Sequence, residues 1–281
     1  MEESRILPAF SKCGQLTTVT PFTSVITHMD AHTLAVFIDF ENIALGFHGR
    51  KTKFAIGKIL ARLVEKGKII VKKAYADWTR FGDFKRELHE SAIELIEIPK
   101  RSMTGKNSAD IRLCVDAIDL CYAKEHIDTF VIVSGDSDFS PLVSKLKENG
   151  KHVIGLGVKN STSNLLIENC DEFIYYEDLE RPSATPPVME ANIPKEKAQA
   201  LQLLIETIAA LIREGKEVLH ASMIKDTMKR KLPSFNESYS GYRNFGEMLE
   251  DAEERGFLRL TTDPRSGTYA VAGFGKAPVR K

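Results

Sequence analysis

The chain carries a single tryptophan, only four cysteines and no excess of either charge. Each scarcity excludes something. Cys13, Cys114, Cys121 and Cys170 form no CxxC pair and no zinc-finger spacing, so a structural zinc module is not expected. Cys114 and Cys121 are seven apart in a helical pattern and share one apolar face. They read as buried, reduced thiols, which points to a reducing, cytoplasmic setting. Thirty-nine Lys and Arg balance thirty-nine Asp and Glu. Bulk charge therefore names no partner, and any basic surface has to be local. No apolar run is long enough to span a bilayer, so no membrane partner is expected.

What is present is globular material. Apolar residues make up 43% and charged residues 28% of 281 positions, enough for one large domain or two ordinary ones. Residues 1–30 are rich in Ser and Thr, without an apolar signal core or cleavage pattern. They read as a disordered extension, or as a start codon placed too far upstream.

Over 31–180 strand and helix patterns alternate. Strands are expected at 34–39, 69–75, 93–98, 129–134, 152–156 and 173–176, and helices at 56–66, 84–90, 108–124, 139–148 and 161–168. The run 34–39 lacks polar alternation, which predicts burial on both faces. In 56–66, Ile56, Ile59, Leu60, Leu63 and Val64 recur at the helical period. Such alternation predicts an α/β fold, a parallel sheet with helices on both faces. Ligands of these sheets bind beyond the carboxyl ends of the strands. Residues 181–196 hold Pro182, Pro186, Pro187 and Pro194 and read as a linker. The segment 197–275 is helix-rich, with helices at 197–213, 219–231 and 245–255 and a small hairpin of 257–261 with 268–271. That order predicts a smaller winged-helix-like domain, followed by a tail at 276–281.

The stretch 35–44, AVFIDFENIA, puts an aspartate at the end of a buried strand, where a charge is expensive. Asp39 lies at the carboxyl end of the first strand, and Asp136 and Asp138 follow the strand that ends near Ser134. Asp110 opens the helix after the 93–98 strand. All four are expected at one rim, where they would repel one another and raise each other's pKa. A divalent cation resolves the repulsion, and an all-oxygen donor set suits Mg²⁺ or Mn²⁺. Each acid also has a plainer explanation: Asp138 as a helix N-cap, Asp110 as a favourable charge in a first turn. Asp116, two turns below Asp110, reads as a surface or network residue. Asn42 stands near Asp39 to orient a phosphate or a water, and Ser134 to bond a phosphate or an aspartate. The basic loop 101–106 and the segment 159–163 offer Arg101, Lys106 and Lys159 to RNA phosphates, or are ordinary solvated loops.

The segments FIDFENIA, KNSADIRLCVDAIDL and IVSGDSDFSPLVSKLKENGKHVIGLG resemble the NYN domain, a branch of the PIN-like nuclease superfamily. The resemblance covers about 34–178. It implies a PIN-like sheet whose acidic crevice binds Mg²⁺ or Mn²⁺ for RNA cleavage, with Asp39, Asp110, Asp136 and Asp138 as the acids and Asn42 in support. LLIETIAALIREG and YSGYRNFGEMLEDAEERGFLRL resemble an OST-HTH (LOTUS) domain over about 197–273. That family implies RNA binding or, in some members, protein binding. Lys231, Tyr239 and Arg243, within KRKLPSFNESYSGYRNF, are the RNA-binding candidates, since cations neutralise phosphates and aromatics stack on bases. The alternative keeps those aromatics in the core. The two modules together resemble LabA-like bacterial proteins.

Two functions follow. One is a metal-dependent ribonuclease, an endoribonuclease, with the carboxyl-terminal module capturing RNA and the linker raising its concentration at the crevice. The other is a catalytically weak RNA-binding or regulatory adaptor. A phosphatase is disfavoured because Asp39-Phe40-Glu41 lacks a second aspartate, and a receiver because no late lysine matches. Homodimerisation is expected by resemblance only.

Overall fold

A computed structural model describes residues 32–47, 54–98, 108–180, 193–216, 218–262 and 267–275. The expected extension at 1–30, residues 181–192 of the expected linker, the tail and the loop with Arg101 and Lys106 lie outside the described residues.

The first strand, β1 (His32–Asp39), sits inside a six-stranded, all-parallel sheet. The others are β2 (Gly67–Ala76), β3 (Glu94–Glu97), β4 (Thr129–Val133), β5 (His152–Gly157) and β6 (Glu172–Tyr175), in the spatial order β3-β2-β1-β4-β5-β6. The chain winds outward from β1 through β2 to β3, then crosses back to lay β4 against the other edge of β1. The strand order therefore reverses between β1 and β4, and a crevice opens there beyond their carboxyl ends.

Period-two alternation divides β1 between two cores. Leu34, Val36 and Ile38 pack with Ile56, Ile59 and Leu63 of α2 (Ile56–Lys66). Ala35 and Phe37 pack with Leu113, Ala117 and Cys121 of α4 (Ser108–Ala123), and with Leu142, Val143 and Leu146 of α5 (Ser140–Glu148). Each fully buried Leu, Ile, Val or Phe contributes about 1.5–3 kcal/mol, so this two-sided burial fixes the register of β1 and the height of its last residue. The expected α/β fold is thus present. Each expected strand appears with its ends moved by no more than a few residues.

Two helices were not expected. α1 (Phe40–Gly46) follows β1 without a break, and α7 (Tyr176–Glu180) follows β6. Between them come α3 (Gly82–Glu90) and α6 (Asn164–Asn169). The last starts later than expected because Ser163 caps it, accepting the Leu165 N–H. Phe40 anchors α1, packing against Trp78 with ring centroids 5.2 Å apart and against Phe81 and Phe84.

The carboxyl-terminal region has its own core. It consists of α8 (Lys195–Arg213), β7 (Leu219–His220), α9 (Ala221–Lys231), α10 (Phe245–Glu254), β8 (Leu258–Thr262) and β9 (Tyr269–Phe274). The hairpin is the expected one, but β7 pairs with β9 and makes a three-stranded antiparallel sheet, a winged-helix arrangement. Tyr242 and Phe235 lie in this core, Tyr242 donating its hydroxyl to Asp251 at 2.6 Å.

An ion-pair cluster joins the two regions. Lys66 Nζ reaches Glu214 at 2.6 Å and Glu172 at 2.7 Å, Arg62 pairs with Glu214 and Glu65, and Lys231 Nζ reaches Glu65 at 2.9 Å. Lys66 ends α2 just before β2, and Glu172 begins β6. The carboxyl-terminal region is therefore docked at the amino ends of the strands, the end away from Asp39.

Candidate active site

Asp39 is both the last residue of β1 and the N-cap of α1. One carboxylate oxygen accepts the Asn42 N–H at 3.2 Å, and the other accepts the Ser134 hydroxyl at 2.9 Å. Ile38 is in register with Val133, so Ser134, one residue beyond β4, comes alongside Asp39. Asp39 is 5% exposed. Burial raises its pKa most. The Asn42 N–H and the Ser134 hydroxyl stabilise the anion, Asp110 and Asp136 add repulsion, and the result is a pKa of about 7.

Ser134 is fully buried and uses its hydroxyl twice, also accepting the Asp136 N–H at 3.2 Å. It ties Asp39 to the backbone of Asp136 and is closed to solvent. Asn42 acts across the crevice as well: its side-chain oxygen accepts the Gly135 N–H at 2.9 Å, tying α1 to the loop after β4. Gly135 has to be glycine, because a Cβ there would lie 2.6 Å from the Ser161 carbonyl oxygen and 2.9 Å from the Thr162 Cα.

Asp136 caps a single turn of 3-10 helix, Ser137–Phe139, by accepting the Asp138 N–H at 3.0 Å. The capping role considered for Asp138 thus belongs to Asp136, and Asp138 is exposed. Asp110 stands in the first turn of α4, half-buried, with its pKa raised to about 6 by burial and then by Asp136, Asp138 and Glu41. At the switch point Asp39 therefore lies in the fields of Asp110 and Asp136, and Asp110 in those of Asp136 and Asp138. Glu41 joins them. It accepts the Asp77 N–H at 3.2 Å and Arg80 at 3.2 Å while its charge reaches Asp110. The sequence offered Glu41 beside Asn42, and it was set aside because neighbours rarely share a direction, with α1 missed. Its signal was there: Asp39 in N-cap position before Phe40, Ile43, Ala44 and Phe47 at helical spacing.

The other expected residues lie elsewhere. Asp116 is a network residue, taking the Tyr75 hydroxyl and Arg112 at 2.9 Å each. Burial would raise its carboxyl, but Tyr75, Lys73 and Arg112 hold it below the ordinary value. Lys159 is exposed; its N–H bonds Glu177 and its ammonium lies over the Tyr175 ring. Lys231 is engaged by Glu65 between the two regions. Tyr239 is 78% exposed, and Arg243 is exposed and paired with Glu247.

The four aspartates offer oxygen donors only, the kind a hard cation takes. Among the described residues, no three His, Cys, Asp or Glu form a ready-made metal cage.

Residues 33–179 match the family model described as the NYN domain. The chain belongs to the NYN domain family. The match takes in β1 through most of α7 and includes every acid of the crevice. A 143-residue alignment, 30% identical, joins the chain to the uncharacterized protein MJ0482 of Methanocaldococcus jannaschii, over 51% of this chain and 54% of that protein. The chain thus spans about half the length of the curated relative it matches. Among solved structures, VPA0982 of Vibrio parahaemolyticus, a protein of unknown function, aligns with 24% identity and a TM-score of 0.47, over 53% of this chain and 95% of that one.

Proposed function

We propose that this NYN protein is a Mg²⁺- or Mn²⁺-dependent ribonuclease, acting as an endonuclease on RNA phosphodiester bonds. The observation that carries the reading is Asp39. A buried carboxyl with a pKa of about 7, repelled by Asp110 and Asp136 beyond the end of its strand, is an unfavourable arrangement unless a cation offsets it.

Asp39 and Asp136 would hold the ion, with Asp110 and Asp138 completing its surroundings. When bound, such an ion supplies charge stabilisation to a phosphodiester and acidity to a water molecule. The protein's own residues set the frame. Ser134 fixes the spacing of Asp39 and Asp136, and Asn42 fixes Gly135 and hence the start of the acid loop. Catalysis of this kind rests on positioned charge, so the stiffness of this frame is its main contribution.

The carboxyl-terminal region is read as an OST-HTH (LOTUS) module that binds RNA or a protein partner. Tyr239 and Arg243 support the RNA reading, being aromatic and cationic groups on the surface. A catalytically weak adaptor is the second reading, favoured by the lack of a ready-made cage among the described residues.

Cleavage of structured and unstructured RNAs in Mn²⁺, beside Asp39→Asn, tests the proposal. Wild-type protein is expected to cut and folded Asp39→Asn is not. Equal rates would remove Asp39 from the reaction. Tight RNA binding with no turnover at enzyme excess would establish the adaptor.

A further inference from the structure

Asp110 opens α4, and the crevice pushes against it. Asp136, Asp138 and Glu41 all act on it with like charge, so repulsion favours any motion that carries it outward. The inward face of α4 opposes this poorly. Leu113, Ala117 and Cys121 pack against the sheet, and apolar packing has no direction. A helix held only by such a stripe can roll about its own axis. Side chains reach about 5–6 Å from that axis, so a roll of about 10° moves a carboxyl by about 1 Å.

A directional contact stands beside the stripe. The Tyr75 hydroxyl donates to one oxygen of Asp116 at 2.9 Å, and Lys73 Nζ reaches the same oxygen at 3.5 Å. Both donors belong to β2. Arg112, one turn earlier in α4, holds the other oxygen at 2.9 Å. Tyr75 is fully buried and is the register partner of Asp39. The strand pair that carries the first acid therefore also sets the height of this contact. Burial, and then the bond to Asp116, raise the pKa of the hydroxyl, so it stays a donor. Phenylalanine would fill the same space. What the hydroxyl adds is a fixed distance from β2 to the flank of α4.

We propose that Tyr75 is a positioning residue for Asp110. Through Asp116 it sets the roll of α4, and with it the separation of Asp110 from Asp39 and Asp136. The role rests on the reading of these acids as a metal site, and Tyr75, being buried, acts only through the helix.

Mn²⁺ titration of the full chain, read by the electron paramagnetic resonance of the free ion, tests this as a double-mutant cycle. Tyr75→Phe keeps the packing and is expected to weaken Mn²⁺ binding about tenfold, the lower end of what a change beyond the ligands costs. In Asp110→Asn protein the same change is expected to cost about twofold or less, because the group it positions is already lost. Cys121→Ala loosens the far end of the same helix and serves as the control for stability. Its urea midpoint is expected to fall while its Mn²⁺ affinity holds. Equal losses from Tyr75→Phe in the wild-type and Asp110→Asn backgrounds overturn the proposal. So does no loss in either, or a loss in Cys121→Ala that matches the one in Tyr75→Phe. Cleavage of RNA in Mn²⁺ is measured in parallel. A wild type that binds Mn²⁺ and cuts, with Tyr75→Phe unchanged in both, discards the positioning role alone. The expected cycle without cleavage supports the role and discards hydrolysis. A wild type that binds no Mn²⁺ overturns the metal reading and the role with it.

Discussion

The Ser134 hydroxyl donates to the Asp39 carboxylate at 2.9 Å, joining the ends of two neighbouring parallel strands. The bond lies at the place where the strand order reverses, so the local chemistry and the topology of the sheet meet in one contact.

Ser134→Ala removes that donor and leaves a buried carboxylate with one partner fewer. The expected cost is about 1.5–3 kcal/mol, the range for a hydrogen bond to a charged group, read as a shift in urea midpoint at constant slope. The same bond favours the anion, so the Asp39 pKa should rise further in the variant. An NMR titration that finds Asp39 unmoved would show that Ser134 does not support it.

Asp39 also predicts how metal-free stability varies with pH. Its pKa rises from 3.8 in the unfolded chain to about 7 in the folded one. The folded state therefore binds more protons in between. The contribution is fully present below pH 3.8 and is lost as pH rises through about 7. The loss is on the order of 4 kcal/mol as an upper figure. Thermal melts from pH 4 to 8 should show it, and Asp39→Asn should flatten the curve. Mn²⁺ should restore stability at the alkaline end, where the carboxylate is ionised.

Glu214 lies between Lys66 and Arg62, all three largely covered. Burial would raise its carboxyl, but the two cations hold it below the ordinary value. Glu214→Ala leaves Lys66 to Glu172 and Arg62 to Glu65, and loss of the shared charged partner is expected to cost about 1.5–3 kcal/mol. Small-angle scattering should show whether the carboxyl-terminal region also comes loose. An unchanged denaturation midpoint would mean that solvent compensates the cations.

Gly135→Ala places a methyl group against backbone atoms of Ser161 and Thr162, which cannot swing aside as a flexible side chain would. The expected cost is about 1–3 kcal/mol, together with weaker Mn²⁺ binding as the Asp136 loop shifts. Calorimetry reads both.

The sheet and its four aspartates were legible because they follow from local rules. A strand that is apolar on both faces has to be central, and an acid ending it has to face something. Asp136 and Asp138 followed from the same logic at β4. α1 was harder to see because its first residues continue an apolar run, and strand and helix periods are hard to separate over so short a stretch. The pairing of Lys231 was hidden for another reason. Its neighbours Lys229 and Arg230 suggest a basic surface, but its partner Glu65 is 166 residues away in sequence, and no local pattern announces such a pair. Tyr239 and Tyr242 look alike in sequence; only the packing of α10 puts one outside and the other in the core.

Docking at the strand beginnings sets a minimum reach. β1 runs the full height of the sheet in eight residues, or about 26 Å at roughly 3.3 Å per residue. A nucleic acid touching both the docked module and the aspartates has to bridge that height along the outside of the molecule. Oligomers too short for the span would meet one station or the other, so affinity should climb in a step, not a ramp, as chain length grows.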